Sequence, residues 1–208
     1  VGSDLVIATD PDSDRVGVMT RTKNGGFAPI TGNQMGALLL DYAIRMRRKK
    51  GTLPKNAYAV KSIVSTDMAY RIAAVNGIRL YDVLTGFKYI GEVIKNHELR
   101  GEEDGFVLGF EESYGYLLGS YARDKDAVEA TLLILEMTAY YRTRGMTLSD
   151  ALEELYRTYG RYGEKMTDIY MEGATGIARR KQTMESLRNT PPAAFGGFAV
   201  RAIGDYLA

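Results

Sequence analysis

The 208 residues include no cysteine and one histidine. Without cysteine there are no disulfides, no thiolate nucleophile and no Cys-based zinc site. That composition fits a cytoplasmic protein. No apolar run approaches the length of a membrane span, and no signal peptide is visible. A net charge of +1 leaves neither the footprint of a nucleic-acid binder nor an acidic tail. Internal repeats and low-complexity tracts are also missing. What remains is a chain long enough to bury a sizeable core as one large domain or two small ones. It opens Val1-Gly2-Ser3 without Met and stops just past an apolar run, so both ends read as cut from something longer.

The most chemically loaded stretch is Asp10-Pro11-Asp12-Ser13-Asp14-Arg15, between apolar runs at Leu5–Ala8 and Val16–Met19 that read as short buried strands. Three carboxylates at alternate positions of a tight turn repel one another unless a cation sits among them. Oxygen-only ligands favour a hard divalent ion, Mg²⁺ or Ca²⁺. Arg15 then sets a guanidinium suited to bidentate phosphate binding beside that ion. An EF-hand opens in the same D-x-D-x-D way, but Arg15 stands where its loop needs Gly and Arg21 where it needs Glu, and strands rather than helices flank it. A plain surface turn is the competing reading.

Along the chain, Asn24-Gly25-Gly26 marks a turn. A helix starts at Thr31, which is spaced with Gln34 as a capping box, with Met35, Leu38, Leu39, Tyr42, Ala43 and Met46 on one face. Arg47, Arg48, Lys49 and Lys50 gather in its last turn, where cations suit the helix dipole, and Gly51 ends it. Strand and helix signals then alternate: Ala57–Val64, Asp67–Asn76, Ile78–Val83, Phe87–His97 and Phe106–Phe110. Such an order predicts an α/β fold with a mixed, mainly parallel sheet flanked by helices. Loops after parallel strands emerge along one edge, so Ser65-Thr66-Asp67, Thr85-Gly86-Phe87-Lys88 and Glu111-Glu112-Ser113 should converge. His97, near a helix end, reads as structural. A long helix from Asp126, boxed with Glu129, runs to Gly145 with Val128, Leu132, Leu135 and Ala139 as its inner stripe. Thr147 caps another carrying Leu148, Leu152, Leu155, Tyr156 and Tyr159 on one side. Beyond a connector at 159–163 come a strand over 165–171, a helix over 175–187 and a last strand over 198–203 with no evident partner sheet.

A second constellation is Gly109-Phe110-Glu111-Glu112-Ser113-Tyr114-Gly115-Tyr116, after a strand. Carboxylates beside a hydroxyl suit a polyol, whose hydroxyls donate and accept. Lys88 adds a point charge for phosphate.

DPDSDR between two strands, TGFKYIG and GFEESYGYL, in that order and at these separations, resemble the α-D-phosphohexomutase superfamily, phosphoglucomutases in particular. The resemblance implies the superfamily's fold, with partial flanking domains: 1–29 as the end of its second domain, 30–146 as its third, and 147–208 as a connector and the start of its fourth. It implies that Asp10, Asp12 and Asp14 bind one Mg²⁺, with a phosphoserine oxygen completing the set. It implies that Arg15, Lys88, Glu111 and Ser113 bind a hexose phosphate. The reaction implied moves a phosphoryl group between the 1- and 6-hydroxyls through a sugar bisphosphate, which serves as intermediate and activator. No catalytic nucleophile falls within these residues: the family's Ser-His-Asn loop and its Arg-Pro-Ser-Gly-Thr phosphate loop are missing. Arg123, Lys125 and Asp126 fall where the family carries charge, without an assigned role. Tyr114-Gly115 replaces the Gly-His that follows the serine in some phosphomannomutases, which favours glucose or pentose over mannose. Phosphopentomutase, phosphomannomutase and a non-catalytic sugar-phosphate-binding module stay open as alternatives.

Overall fold

A computed structural model describes residues 2–164 and 169–206. By their contacts the residues fall into two units that divide after Gly163.

The first unit begins with an antiparallel meander, β1 (Leu5–Thr9), β2 (Val16–Arg21) and β3 (Phe27–Ile30), in that order. Thr9 pairs with Val16, so Asp10–Arg15 is the connection of a hairpin. Val16, Val18 and Thr20 point inward while Met19 faces out, the period of two expected of a half-buried strand. At the next turn Gly25 takes a φ of 83°, which glycine adopts at no steric cost.

Helix α1 (Gly32–Lys49) starts as anticipated. The Gln34 N–H donates to Thr31 Oγ1 (3.2 Å), and Gln34 Oε1 accepts from the Thr31 N–H (2.9 Å). Its burial is wider than the one face read from spacing, since Ala37, Leu40, Asp41 and Ile44 are buried too. The cause is that helices and strand β6 (Phe106–Phe110) pack around it. The basic last turn serves structure: Arg47 donates to the Phe106 carbonyl (2.8 Å), and Arg48 to Asn76 Oδ1 (2.7 Å).

A four-stranded sheet follows in the order β5 (Arg79–Val83), β4 (Tyr58–Ser62), β6, β7 (Tyr116–Leu117). β4 runs parallel to both β5 and β6, and only β7 is antiparallel, the mixed and mainly parallel arrangement foreseen. α2 (Met68–Asn76), α3 (Phe87–Glu98), α4 (Ala127–Thr143) and α5 (Leu148–Tyr159) complete the unit. His97 is buried, stacked on Tyr58 and bonded to Glu102 and Tyr81, the structural role expected of it.

Two expectations for α4 are corrected. Its inner stripe is Ala127, Ala130, Ile134, Met137 and Tyr141, whereas Val128 and Leu132 are 71% and 70% exposed and Leu135 and Ala139 also face outward. Both faces of α4 are apolar, so spacing does not choose between them. Asp126 does cap the helix, accepting from the N–H groups of Val128 (2.8 Å) and Glu129 (3.0 Å). The reciprocal half of the box is absent, because Glu129 accepts instead from the Leu118 N–H (2.9 Å).

The second unit holds α6 (Gly173–Asn189), matching the helix read at 175–187, and a hairpin of β8 (Ala194–Phe195) and β9 (Phe198–Ala199). The expected final strand therefore has a partner immediately before it and is shorter than 198–203. Of the strand expected over 165–171, residues 165–168 lie outside the described residues, and 169–171 are not in a strand.

Candidate functional site

The acidic turn is built around Asp10. Its Oδ1 accepts from the N–H groups of Asp14 and Arg15, each at 3.2 Å, and its carbonyl accepts from the Ser13 N–H at 3.0 Å. Ser13 takes a φ of 54°, an uncommon conformation for a residue with a Cβ. This folding brings the Asp14 carboxylate up to that of Asp10 and onto the ammonium of Lys125, 2.9 Å from Asp14 Oδ2. The Lys125 hydrogen bond, opposed by burial, leads in holding the Asp14 carboxyl below its ordinary value. Lys125 itself is raised: burial works against its charge, but the Asp14 and Asp124 carboxylates outweigh it.

Two carboxylates drawn together, with oxygen donors alone, suit a hard cation, so Asp10 and Asp14 fit the proposed ion. Asp12 points to solvent and does not join them. Among the described residues, no three acidic or imidazole side chains converge as a metal cluster.

The turn is fastened to the loop after β6 by backbone bonds. The Val16 N–H donates to the Tyr114 carbonyl (3.1 Å), and Arg15 bridges to Gly115 in antiparallel fashion. The Ala127 N–H at the head of α4 donates to the Ser13 carbonyl (3.1 Å). As a result Asp10, Arg15, Ser113 and Tyr114 line one open depression of about 530 Å³. Tyr114 sits there with a φ of 70°, its backbone held left-handed while the residue stays 40% exposed. Such a conformation costs about 1–3 kcal/mol and persists only where the surroundings enforce it.

Glu111 is buried, and its Oε1 accepts from the Gly86 N–H at 2.8 Å. Gly86, with a φ of 115°, is the N-cap of α3, so Glu111 ties its loop to the one carrying Lys88. Phe87, next along, lies 5.8 Å beneath the Lys125 ammonium. Glu112 turns the other way, accepting from the Ser62 hydroxyl (3.0 Å) at the end of β4 and from the Ser65 hydroxyl (3.4 Å) in the loop that follows. The three loops thus meet as their place in the sheet requires. Lys88 is exposed, with Nζ 4.8 Å over the Tyr89 ring, and does not line the depression. Lys125 and Tyr114 are the residues sequence reasoning left without a role. The charged run Arg123–Asp126 directly after the loop was the available signal for the first, and its place in the loop motif beside Ser113 for the second.

A model described as phosphoglucomutase/phosphomannomutase, alpha/beta/alpha domain III, matches residues 31–159. A phosphoglucomutase of Staphylococcus aureus (strain N315) is 37% identical over 205 residues, covering 99% of this chain and 36% of the relative. The chain therefore spans about a third of the length of the curated relatives it matches. Among solved structures, the open form of pp63/parafusin (phosphoglucomutase) from Paramecium is similar with a TM-score of 0.64 at 25% identity, covering 89% of this chain and 29% of that one. A putative phosphomannomutase from Thermus thermophilus gives a TM-score of 0.58 at 29% identity, covering 75% and 31%.

Proposed function

The chain belongs to the phosphoglucomutase/phosphomannomutase family, and from that premise we propose that it supplies the metal turn and the sugar-hydroxyl loop of a cytoplasmic, magnesium-dependent phosphohexomutase acting on glucose phosphates. The observation that carries this reading is the depression shared by Asp10, Arg15, Ser113 and Tyr114. Residues 1–29, 30–146 and 147–208 are assigned to the end of a second domain, a third domain, and a connector with the start of a fourth.

The chemistry shifts a phosphoryl group between the 1- and 6-hydroxyls of one hexose. A phosphoserine elsewhere in the longer enzyme gives up its phosphoryl as the P–O bond to serine breaks and one to the free sugar hydroxyl forms. The bisphosphate turns round and returns its other phosphoryl to the serine. Phosphoryl transfer asks the protein mainly for positioning and positive charge. Arg15 offers two parallel N–H donors to a phosphate, and Lys88 a mobile point charge at the head of α3. The Ser113 hydroxyl donates and accepts, while the Glu111 carboxylate accepts. Together they read a pair of sugar hydroxyls without reading the direction of the ring, as two binding orientations demand. Asp10 and Asp14, with Asp12, would hold the magnesium, which would supply positive charge for the transferring oxygens.

Nuclear magnetic resonance titration of the 208-residue chain tests this. With Mg²⁺ present, glucose 1-phosphate and glucose 6-phosphate should both shift the amides of residues 111–115. Arg15→Ala or Ser113→Ala should weaken each about tenfold, the worth of one charge-assisted or well-placed hydrogen bond. Metal binding without response to any sugar phosphate would leave an ion-stabilised turn in a structural domain and overturn the proposal.

A further inference from the structure

Lys125 does not behave as a surface lysine. Its side chain is 12% exposed, and its methylenes lie against Gly115, where an added Cβ would stand 2.6 Å from Lys125 Cδ. The Phe87 ring centroid lies 5.8 Å from the ammonium. The stem is thereby fixed between two substrate-side loops, leaving the ammonium little freedom except to choose its carboxylate. Two are in reach: Asp14 Oδ2 at 2.9 Å and Asp124 Oδ1 at 3.2 Å. They differ in setting, since the Asp14 side chain is 29% exposed and paired with Asp10 whereas that of Asp124 is 73% exposed.

Resting on the reading of Asp10 and Asp14 as cation ligands, we propose that the Lys125 ammonium is the resident counter-ion of this site, exchanged for a divalent cation by moving from Asp14 to Asp124. A dication and an ammonium sharing one carboxylate would stand within about 4 Å of each other, a repulsion of several kcal/mol at the effective dielectric of a protein surface. The ion bearing two charges gains more from the Asp10–Asp14 pair, so the ammonium yields. Asp124 receives it with little movement, because Lys125 already touches both. The turn itself survives the exchange. Its shape is set by the Asp10 side chain on two backbone N–H groups and by the Ser13 carbonyl on the Ala127 N–H, none of which involves Lys125.

Calorimetric titration of the 208-residue chain with MgCl₂ alone separates the alternatives. Lys125→Met should tighten Mg²⁺ binding at least about tenfold by removing the competing charge. Asp124→Asn should weaken it about threefold by removing the acceptor of the displaced ammonium. Lys125→Gln, which keeps a polar stem, should follow Lys125→Met. In metal-free buffer Lys125→Met should melt below the wild type, and Mg²⁺ should raise its Tm by more than it raises that of the wild type. Equal or weaker Mg²⁺ binding in both Lys125 variants would overturn the exchange and leave Lys125 as a structural clamp. Absence of Mg²⁺ binding in every form, including Lys125→Met, would bring down the metal reading itself and the exchange with it. Asp10→Asn should abolish whatever binding is seen, which ties the signal to this turn.

Discussion

Asp126 carries two duties at the head of α4. It accepts from the Val128 and Glu129 N–H groups and from the Tyr121 hydroxyl, and that hydroxyl, followed by the Glu129 N–H, holds its carboxyl below the ordinary value of 3.8. Asp126→Ala should cost about 1 kcal/mol in urea unfolding, the usual worth of an N-cap. Because the folded-state pKa lies below the unfolded one, this stabilisation is complete above the ordinary carboxylate value and disappears as pH falls through the folded value. The deficit of the variant should therefore shrink on acidification from neutral pH; an unchanged deficit would show the cap acting without its charge. Gly32 is the other decisive single position. A Cβ there would lie 1.9 Å from the Glu112 carbonyl, so Gly32→Ala must push back either α1 or the loop after β6. Overpacking of this kind costs about 1–3 kcal/mol, and the amide shifts of 111–115 should report it.

At the scale of elements, α4 separates what periodicity can read from what it cannot. An apolar residue every third or fourth position marks a helix face, but α4 carries two such faces and only packing selects one. Ile134→Ala, on the buried face, should cost about 2–5 kcal/mol. Leu132→Ala, on the face the spacing favoured, should stay within about 0.5 kcal/mol. Chemical denaturation of the two variants side by side checks both. Elements whose ends carry their own chemistry were read well. The Thr31–Gln34 box is local, three residues long and independent of what the helix later packs against. The Asp126–Glu129 box failed because a distant backbone group, the Leu118 N–H, competed for Glu129 and won.

Over the whole molecule, the two units differ in how they are built. In the first, α2, α4, α5 and β6 pack on α1, and a second buried cluster forms between α3 and the sheet. In α6 of the second unit only Gly176 is buried, and Ile177, Met184, Phe195 and Phe198 are exposed. Amide exchange should follow the same division: α6 amides should exchange several orders of magnitude faster than those at the centre of α1, since protection tracks buried apolar contact. Equal protection would mean that α6 is covered in solution.

Sequence alone determined the hairpin with its acidic turn, the alternation of strand and helix from β4 to β6, the caps of α1 and α5, and the carboxylate–hydroxyl loop after β6. Each of these is written within about a dozen neighbouring residues, where backbone preference and side-chain period decide. Tertiary structure alone decided that Arg15 meets Gly115, that Lys125 rests on Asp14, that Asp12 faces solvent, and which side of α4 is inside. The first two of those pairings join residues far apart in the chain, and no local pattern encodes which distant group will arrive to pair with an exposed charge or cover an apolar face.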